Sequence, residues 1–215
     1  FRRRYLDLLM NDAVRERFIT RSMIIQTIRK FFDADGFLEV ETPMLKDVPG
    51  GAMAKPFTTH HNALGIDLYL RVAPELFLKR LLVGGLERVY ELGKSFRNEG
   101  IDVTHNPEFT TVEWYAAYWD EEDMMACVER LFRALVAALK LEKGISTDNG
   151  IVDFSKPFAR VGFAEALERH AQILDYDRQT WEWLREKAQQ FGIQVPHGES
   201  KAKIADEIFK RVCRP

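Results

Sequence analysis

One stretch of this chain concentrates residues able to hold a charged ligand: Phe96-Arg97-Asn98-Glu99-Gly100, then His105-Asn106-Pro107-Glu108-Phe109, then Glu113-Trp114-Tyr115. Arg97 ends one extended run and Glu113 lies on the return run, with Glu99, His105 and Asn106 in the loop between. A planar guanidinium takes a phosphate or carboxylate bidentately, and a carboxylate takes a cation. Glu113 and Tyr115 are two apart, which puts them on one face of a strand. The set suits a ligand that carries both phosphate and ammonium. On spacing alone, the alternative stands that Arg97, Glu99 and Glu113 form a solvated cross-strand charge ladder.

These residues need a frame. Strand character over Arg88–Phe96 and Phe109–Tyr118, with a polar loop between, predicts a long antiparallel hairpin. Apolar residues recur at helical spacing from Val14 to Phe32, and Gly36 terminates that helix. Phe37–Val40 reads as a short strand broken by Pro43, followed by a Pro49-Gly50-Gly51 turn. Phe57–His61 and Leu68–Val72 are extended. Pro74 opens a helix over Glu75–Val83 that Gly84-Gly85 closes. Asp120 caps a helix running to about Leu141, with acidic residues in its first turn. A strand near Ile151–Phe154 follows, then helices near Phe163–His170, Trp181–Phe191 and Lys201–Val212. Helices mixed with hairpin-connected strands indicate α+β architecture on an antiparallel sheet.

The chain has 215 residues, 46% hydrophobic and 30% charged, with a formal net charge of −2. That composition belongs to an ordinary globular domain with a real core, and it offers no global basic field to attract nucleic acid. Cys127 and Cys213 lack CxxC spacing, which points to reduced thiols in a cytoplasmic protein rather than a disulfide framework or zinc site. No apolar run reaches membrane-spanning length. Both termini read as interior to a longer polypeptide.

Phe96-Arg97-Asn98-Glu99 through His105-Asn106-Pro107-Glu108-Phe109-Thr110 resembles motif 2 of the class II aminoacyl-tRNA synthetases, and Gly36-Phe37-Leu38-Glu39-Val40-Glu41-Thr42-Pro43 resembles motif 1. Pro49-Gly50-Gly51-Ala52, Thr59-His60-His61-Asn62-Ala63-Leu64 and Leu70-Arg71-Val72-Ala73-Pro74-Glu75-Leu76 are similar to the lysine-specific members of that class. The resemblance implies an antiparallel sheet flanked by helices, with residues 1–157 as part of a catalytic core and 158–215 as the start of an inserted helical region. It implies ATP-dependent formation of lysyl-adenylate and transfer to tRNA(Lys) by a cytoplasmic homodimer, with Mg2+ accompanying ATP.

By the same resemblance Arg97 clamps the α-phosphate and the substrate carboxylate and is the catalytic residue. Glu99 receives the adenine amino group, Phe109 stacks on the ring, and His105 and Asn106 contact the nucleotide. Gly51 and Glu75 hold the α-ammonium of lysine, while Glu113 and Tyr115 receive its side-chain ammonium. Pro43 falls at the dimer interface. Plainer roles remain open for several of these: core packing for Phe109 and Tyr115, an ordinary loop position for His105, dipole compensation for Glu75, and strand termination for Pro43.

The sequence departs from the class at Thr104, a loop position that is Arg in some relatives, and in lacking the N-terminal anticodon-binding OB-fold and the final segment of the site. The Gly-x-Gly-x-Asp-Arg run of motif 3, whose Arg holds the γ-phosphate, is absent, as are the carboxylates that bind magnesium. The expectation is an incomplete site, no metal ligands in this chain, and an isolated chain that is inactive. Two other readings are a paralogous ligase that attaches lysine to elongation factor P, and a non-catalytic synthetase-like binding protein. The Gly50-Gly51-Ala52 and His60-His61-Asn62-Ala63-Leu64 stretches favour the tRNA enzyme.

Overall fold

The computed structural model describes residues 3–48, 50–52, 54–147, 150–196 and 198–214. Pro49 of the expected turn lies outside them. The chain divides into two compact units, residues 1–157 and 158–215.

The first unit begins with helices α1 (Arg4–Met10) and α2 (Asp12–Ala34). Strands β1 (Leu38–Glu39), β2 (Leu45–Lys46), β3 (Thr58–His61) and β4 (Ile66–Leu70) follow, then helix α3 (Glu75–Val83). The long strands β5 (Arg88–Phe96) and β6 (Glu108–Ala116) form the predicted hairpin, ahead of helix α4 (Glu121–Ala138) and the short strands β7 (Ile145–Thr147) and β8 (Gly150–Val152). The main sheet has the order β1-β5-β6, and β2-β4-β3 form a second, antiparallel sheet. The main sheet is antiparallel through its hairpin, whereas the short edge strand β1 runs parallel to β5.

Nine residues of β5 pair with nine of β6, from Arg88 opposite Ala116 to Phe96 opposite Glu108. Directly opposed residues share a face, so the hairpin has an even-numbered face and an odd-numbered one. The even face packs on the core around the Tyr90/Trp114 rung and reaches solvent at its ends, at Arg88 and at the Lys94–Glu108 pair. Tyr90, Val112, Trp114 and Ala116 pack with Phe32, Phe37, Cys127 and Leu131 from α2, its following loop and α4. Phe32 is the hub, stacked on Tyr90 at 4.9 Å between ring centroids and 5.1 Å from Trp114. Burial raises the Cys127 thiol above its ordinary titration range, so this cysteine packs as a small apolar side chain.

Helix α4 starts on a full capping box. The Asp120 side chain accepts from the backbone N–H groups of Glu122 and Asp123 at 2.9 and 3.0 Å, while Asp123 accepts from Asp120 N at 3.3 Å. Asp120→Ala is expected to cost about 1 kcal/mol, read as a fall of roughly 2–4 °C in the melting temperature for a unit of this size. An unchanged melting curve would show that the cap contributes nothing.

The second unit holds α5 (Phe163–Ala171), a 3-10 turn at Tyr176–Arg178, α6 (Trp181–Gln190) and α7 (Lys201–Ile208). Its own core joins Leu167, Ala171, Ile173, Leu184, Ile204 and Ile208. The last helix predicted to run to Val212 instead loosens into a π-helical turn over Phe209–Cys213, where Arg214 N donates to Phe209 O at 2.9 Å. Among the described residues no helix is long and apolar enough to cross a membrane.

Candidate active site

The odd face of the hairpin carries the chemistry. Its rungs run from Val89 opposite Tyr115, through Glu91 opposite Glu113, Gly93 opposite Thr111 and Ser95 opposite Phe109. Arg97 N then donates to Pro107 O at 2.9 Å, which continues the pairing by one rung. Arg97, Phe109, Glu113 and Tyr115 therefore all lie on one side of the sheet. Glu113 and Arg97 are separated by six residues of strand, about 20 Å at the usual rise.

At the open end the Arg97 guanidinium sits 5.2 Å from the Phe109 ring centroid. Arg97, Glu99, His105, Asn106 and Phe109 line one cavity of about 560 Å³. The loop that frames it is held by Asp102, whose Oδ1 accepts from Thr104 N at 2.7 Å, Thr104 Oγ1 at 2.9 Å and His105 N at 2.8 Å. These donors hold the Asp102 carboxyl well below the usual carboxylate range. His105 Nδ1 lies 2.8 Å from Asp102 Oδ2, so this ring is turned to its own loop and its remaining nitrogen is the one left for a ligand. The base of the loop is tied to residue 55: Asn98 N donates to Lys55 O at 2.7 Å and Glu99 Oε1 accepts from Lys55 N at 3.4 Å.

At the other end three carboxylates gather. Glu75 stands in the first turn of α3, where its charge suits the helix dipole, and binds Lys79 Nζ at 2.6 Å. Glu91 pairs with Arg71. Glu113 has no ion-pair partner among the described residues. It accepts a long hydrogen bond of 3.4 Å from the Tyr115 hydroxyl. Burial pushes the Glu113 carboxyl above its ordinary value; the Tyr115 hydrogen bond opposes this, and the negative charge of Glu75 adds to it. Burial and the charges of Glu113 and Glu75 push the Tyr115 phenol up to about 12. Tyr115 therefore remains a donor at neutral pH.

Gly51 adopts φ +98°, open to glycine at little cost, and a Cβ built there would lie 3.4 Å from Ala73 O. Gly50 and Gly51 thus lie against the segment that leads into Glu75. Pro43 is exposed just beyond β1. What the sequence reading passed over is the Arg71–Glu91 pair: Glu91 has the same parity as Glu113, but only the strand register sets the two opposite each other.

Residues 1–207 match the family model of the class II tRNA synthetases for D, K and N, and the chain belongs to that family. Within it the chain is 46% identical over 214 residues to the heat-inducible lysine–tRNA ligase of Escherichia coli K12 and 47% identical over 214 residues to the lysine–tRNA ligase of Salmonella arizonae. Each alignment covers 99% of this chain and 42% of the relative, so the chain spans less than half the length of the curated relatives it matches.

Proposed function

We propose that this chain carries the adenine-, carboxylate- and side-chain-binding surface of a lysine–tRNA ligase, acting within a longer cytoplasmic protein on L-lysine, ATP and tRNA(Lys). The observation that carries the reading is the half-buried Glu113: a carboxylate withdrawn from water without a cation is costly, and a ligand's side-chain ammonium would relieve that cost. Arg97, which makes no ion pair among the described residues and sits over Phe109 on the same face, supports an anion site at the other end.

In the first step an oxygen of the lysine carboxylate attacks the α-phosphorus of ATP. The new O–P bond forms as the bond to the bridging oxygen breaks, and pyrophosphate leaves. Arg97 bridges carboxylate and α-phosphate and counters the charge that builds at phosphorus. Phe109 and Glu99 orient the adenine, with His105 and Asn106 at the nucleotide's edge. Glu75 and the backbone at Gly51 hold the α-ammonium. Positioning supplies most of the rate, because the protein forms no covalent bond. A terminal ribose hydroxyl of the tRNA then takes the acyl group and releases AMP.

In this reading the Mg2+ that accompanies ATP takes its carboxylate ligands from the remainder of the longer protein; among the described residues no group of three or more His, Cys, Asp or Glu side chains is arranged to hold a metal ion. In this reading residues 158–215 form an insertion into the catalytic domain. Pro43 lies on a dimer interface, consistent with the exposure of Leu38, Met44 and Leu45 on either side of it.

The test is lysine-dependent ATP–pyrophosphate exchange by the full-length protein, followed by charging of tRNA. Exchange driven by aspartate or asparagine, or none with lysine, would overturn the reading. Transfer to a protein acceptor in place of tRNA would identify the elongation factor P ligase instead. Sedimentation of the full-length protein as a single protomer would remove the dimer.

A further inference from the structure

Beneath the odd face of β5 lies an ionic network closed off from water. Arg71, the residue after β4, is 1% exposed, and Glu91 is 4% exposed. Arg71 Nη1 pairs with Glu91 Oε1 and donates to Thr42 Oγ1 at 2.9 Å, while Nε donates to Lys94 O at 2.8 Å. Thr42 Oγ1 in turn donates to Glu91 Oε2 at 2.6 Å, and Thr42 N approaches the same oxygen at 3.3 Å. Arg71 Nη2 is buried without a hydrogen-bond partner among the described residues, and a Cβ built on Gly93 would lie 2.6 Å from it. The guanidinium therefore lies over Gly93, on the rung between the Glu91/Glu113 pair and the Ser95/Phe109 pair.

Stability is a weak reason for such a pair, since apolar replacements of buried ion pairs are often neutral or better. The register supplies a stronger reason. Glu91 is directly opposite Glu113, and two carboxylates facing across one rung repel. The charged groups around Glu113 are Glu75 on α3, Lys46 on β2, Arg71 after β4 and Glu91 on β5, with the Tyr115 phenol beside it on β6. Lys46 Nζ donates to Ala73 O at 3.1 Å and makes no ion pair with Glu113 among the described residues, so its charge reaches Glu113 only at longer range.

We propose that Arg71, Glu91 and Thr42 are positioning residues that neutralise the carboxylate opposite Glu113, so that Glu113 alone on that rung meets the side-chain ammonium of the amino-acid substrate. The inference rests on the lysine-site reading given above. It assigns substrate selectivity to residues buried below the substrate. Because the side-chain ammonium is remote from the reacting carboxylate, disturbing this balance changes binding equally in ground and transition states, and KM moves rather than kcat.

The experiment uses the full-length protein and lysine-dependent ATP–pyrophosphate exchange. Glu91→Gln keeps the shape but leaves Arg71 with an unmatched positive charge beside the ammonium site. It is expected to raise the KM for lysine roughly 10- to 50-fold, with the KM for ATP unchanged and kcat within about 3-fold. Adding Arg71→Met removes the surplus charge and is expected to restore the lysine KM to within about 5-fold of wild type.

A double variant no better than Glu91→Gln, or a single variant that raises both KM values alike, overturns the proposal in favour of simple packing. If thermal scans show that Glu91→Gln does not fold, Thr42→Val decides. A rise of about 3-fold or more in the lysine KM alone supports the proposal, and no rise, or equal rises for both substrates, overturns it. Wild-type protein without lysine-dependent exchange fails the functional reading itself, which separates that result from failure of this inference.

Discussion

Replacing Arg97 with alanine is expected to lower the kcat of lysine-dependent ATP–pyrophosphate exchange by about 10³-fold, the cost of losing a preorganised charge aimed at the reacting phosphate. The side chain is exposed, makes no ion pair among the described residues, and rests on Phe109 at 5.2 Å. An exposed cation–π contact of this kind contributes about 0.5–1 kcal/mol, so the variant should fold and melt close to wild type. The loss must then come from the chemistry. Arg97→Lys keeps the charge and loses the planar fork, and an intermediate loss of about 10²-fold is expected. Rapid-quench or exchange kinetics on both variants, beside a melting curve, decide the matter. An Arg97→Ala protein within 10-fold of wild type would remove Arg97 from the reaction.

The second large effect belongs to Glu113. Glu113→Gln keeps the size and removes the anion, and a buried ammonium without its carboxylate is disfavoured by several kcal/mol. A rise of about 10²-fold or more in the KM for lysine is expected, with a much smaller change for ATP. The pH dependence has a definite sign. Burial raises the Glu113 carboxyl above its ordinary value, with Glu75 adding to the shift and the Tyr115 hydrogen bond opposing it. The ionised form binds the ammonium, so lysine binding weakens as pH falls through this raised titration, at a pH above that of a free glutamate. That acid limb should disappear in Glu113→Gln. A limb that survives there belongs to another group, and an unchanged lysine KM would take Glu113 out of the pocket.

Much of this frame was legible because burial leaves a period in the sequence. Pro74 ahead of Glu75–Val83, the alternation through Arg88–Phe96, and Asp120 ahead of an apolar stripe each state their element locally. Helix α1 escaped for the converse reason: Tyr5, Leu6, Leu9 and Met10 are exposed, so its apolar residues mark no buried stripe. Strand β2, two residues long, is defined only by its partners Leu70 and Tyr69 on β4. The final helix reads as regular to Val212, and nothing local signals the widened turn from Phe209 onward.

The site divides in the same way. Parity alone places Glu113 beside Tyr115, whereas Glu99 and His105, in a loop without periodicity, stand out only as polar residues, and the family resemblance was needed to give them roles at the nucleotide. Arg71 and Glu91 stand 20 positions apart and come together where Phe96 N, at the end of β5, donates to Arg71 O just past β4, a long-range fact that spacing does not carry. Thr42, farther still, joins them from the segment beyond β1.

The two-sidedness of the hairpin also limits how such a chain can vary in length. Adding or deleting one residue inside Arg88–Phe96 or Glu108–Ala116 would turn Tyr90 or Trp114 toward solvent and drive carboxylates into the aromatic layer, because every later side chain changes sides. Insertions and deletions are tolerable only at the tip between Arg97 and Pro107, where the backbone has left the ladder. A lineage exploring new nucleotide contacts would do so by reshaping that tip, while the ribbon below it stays fixed in residue number.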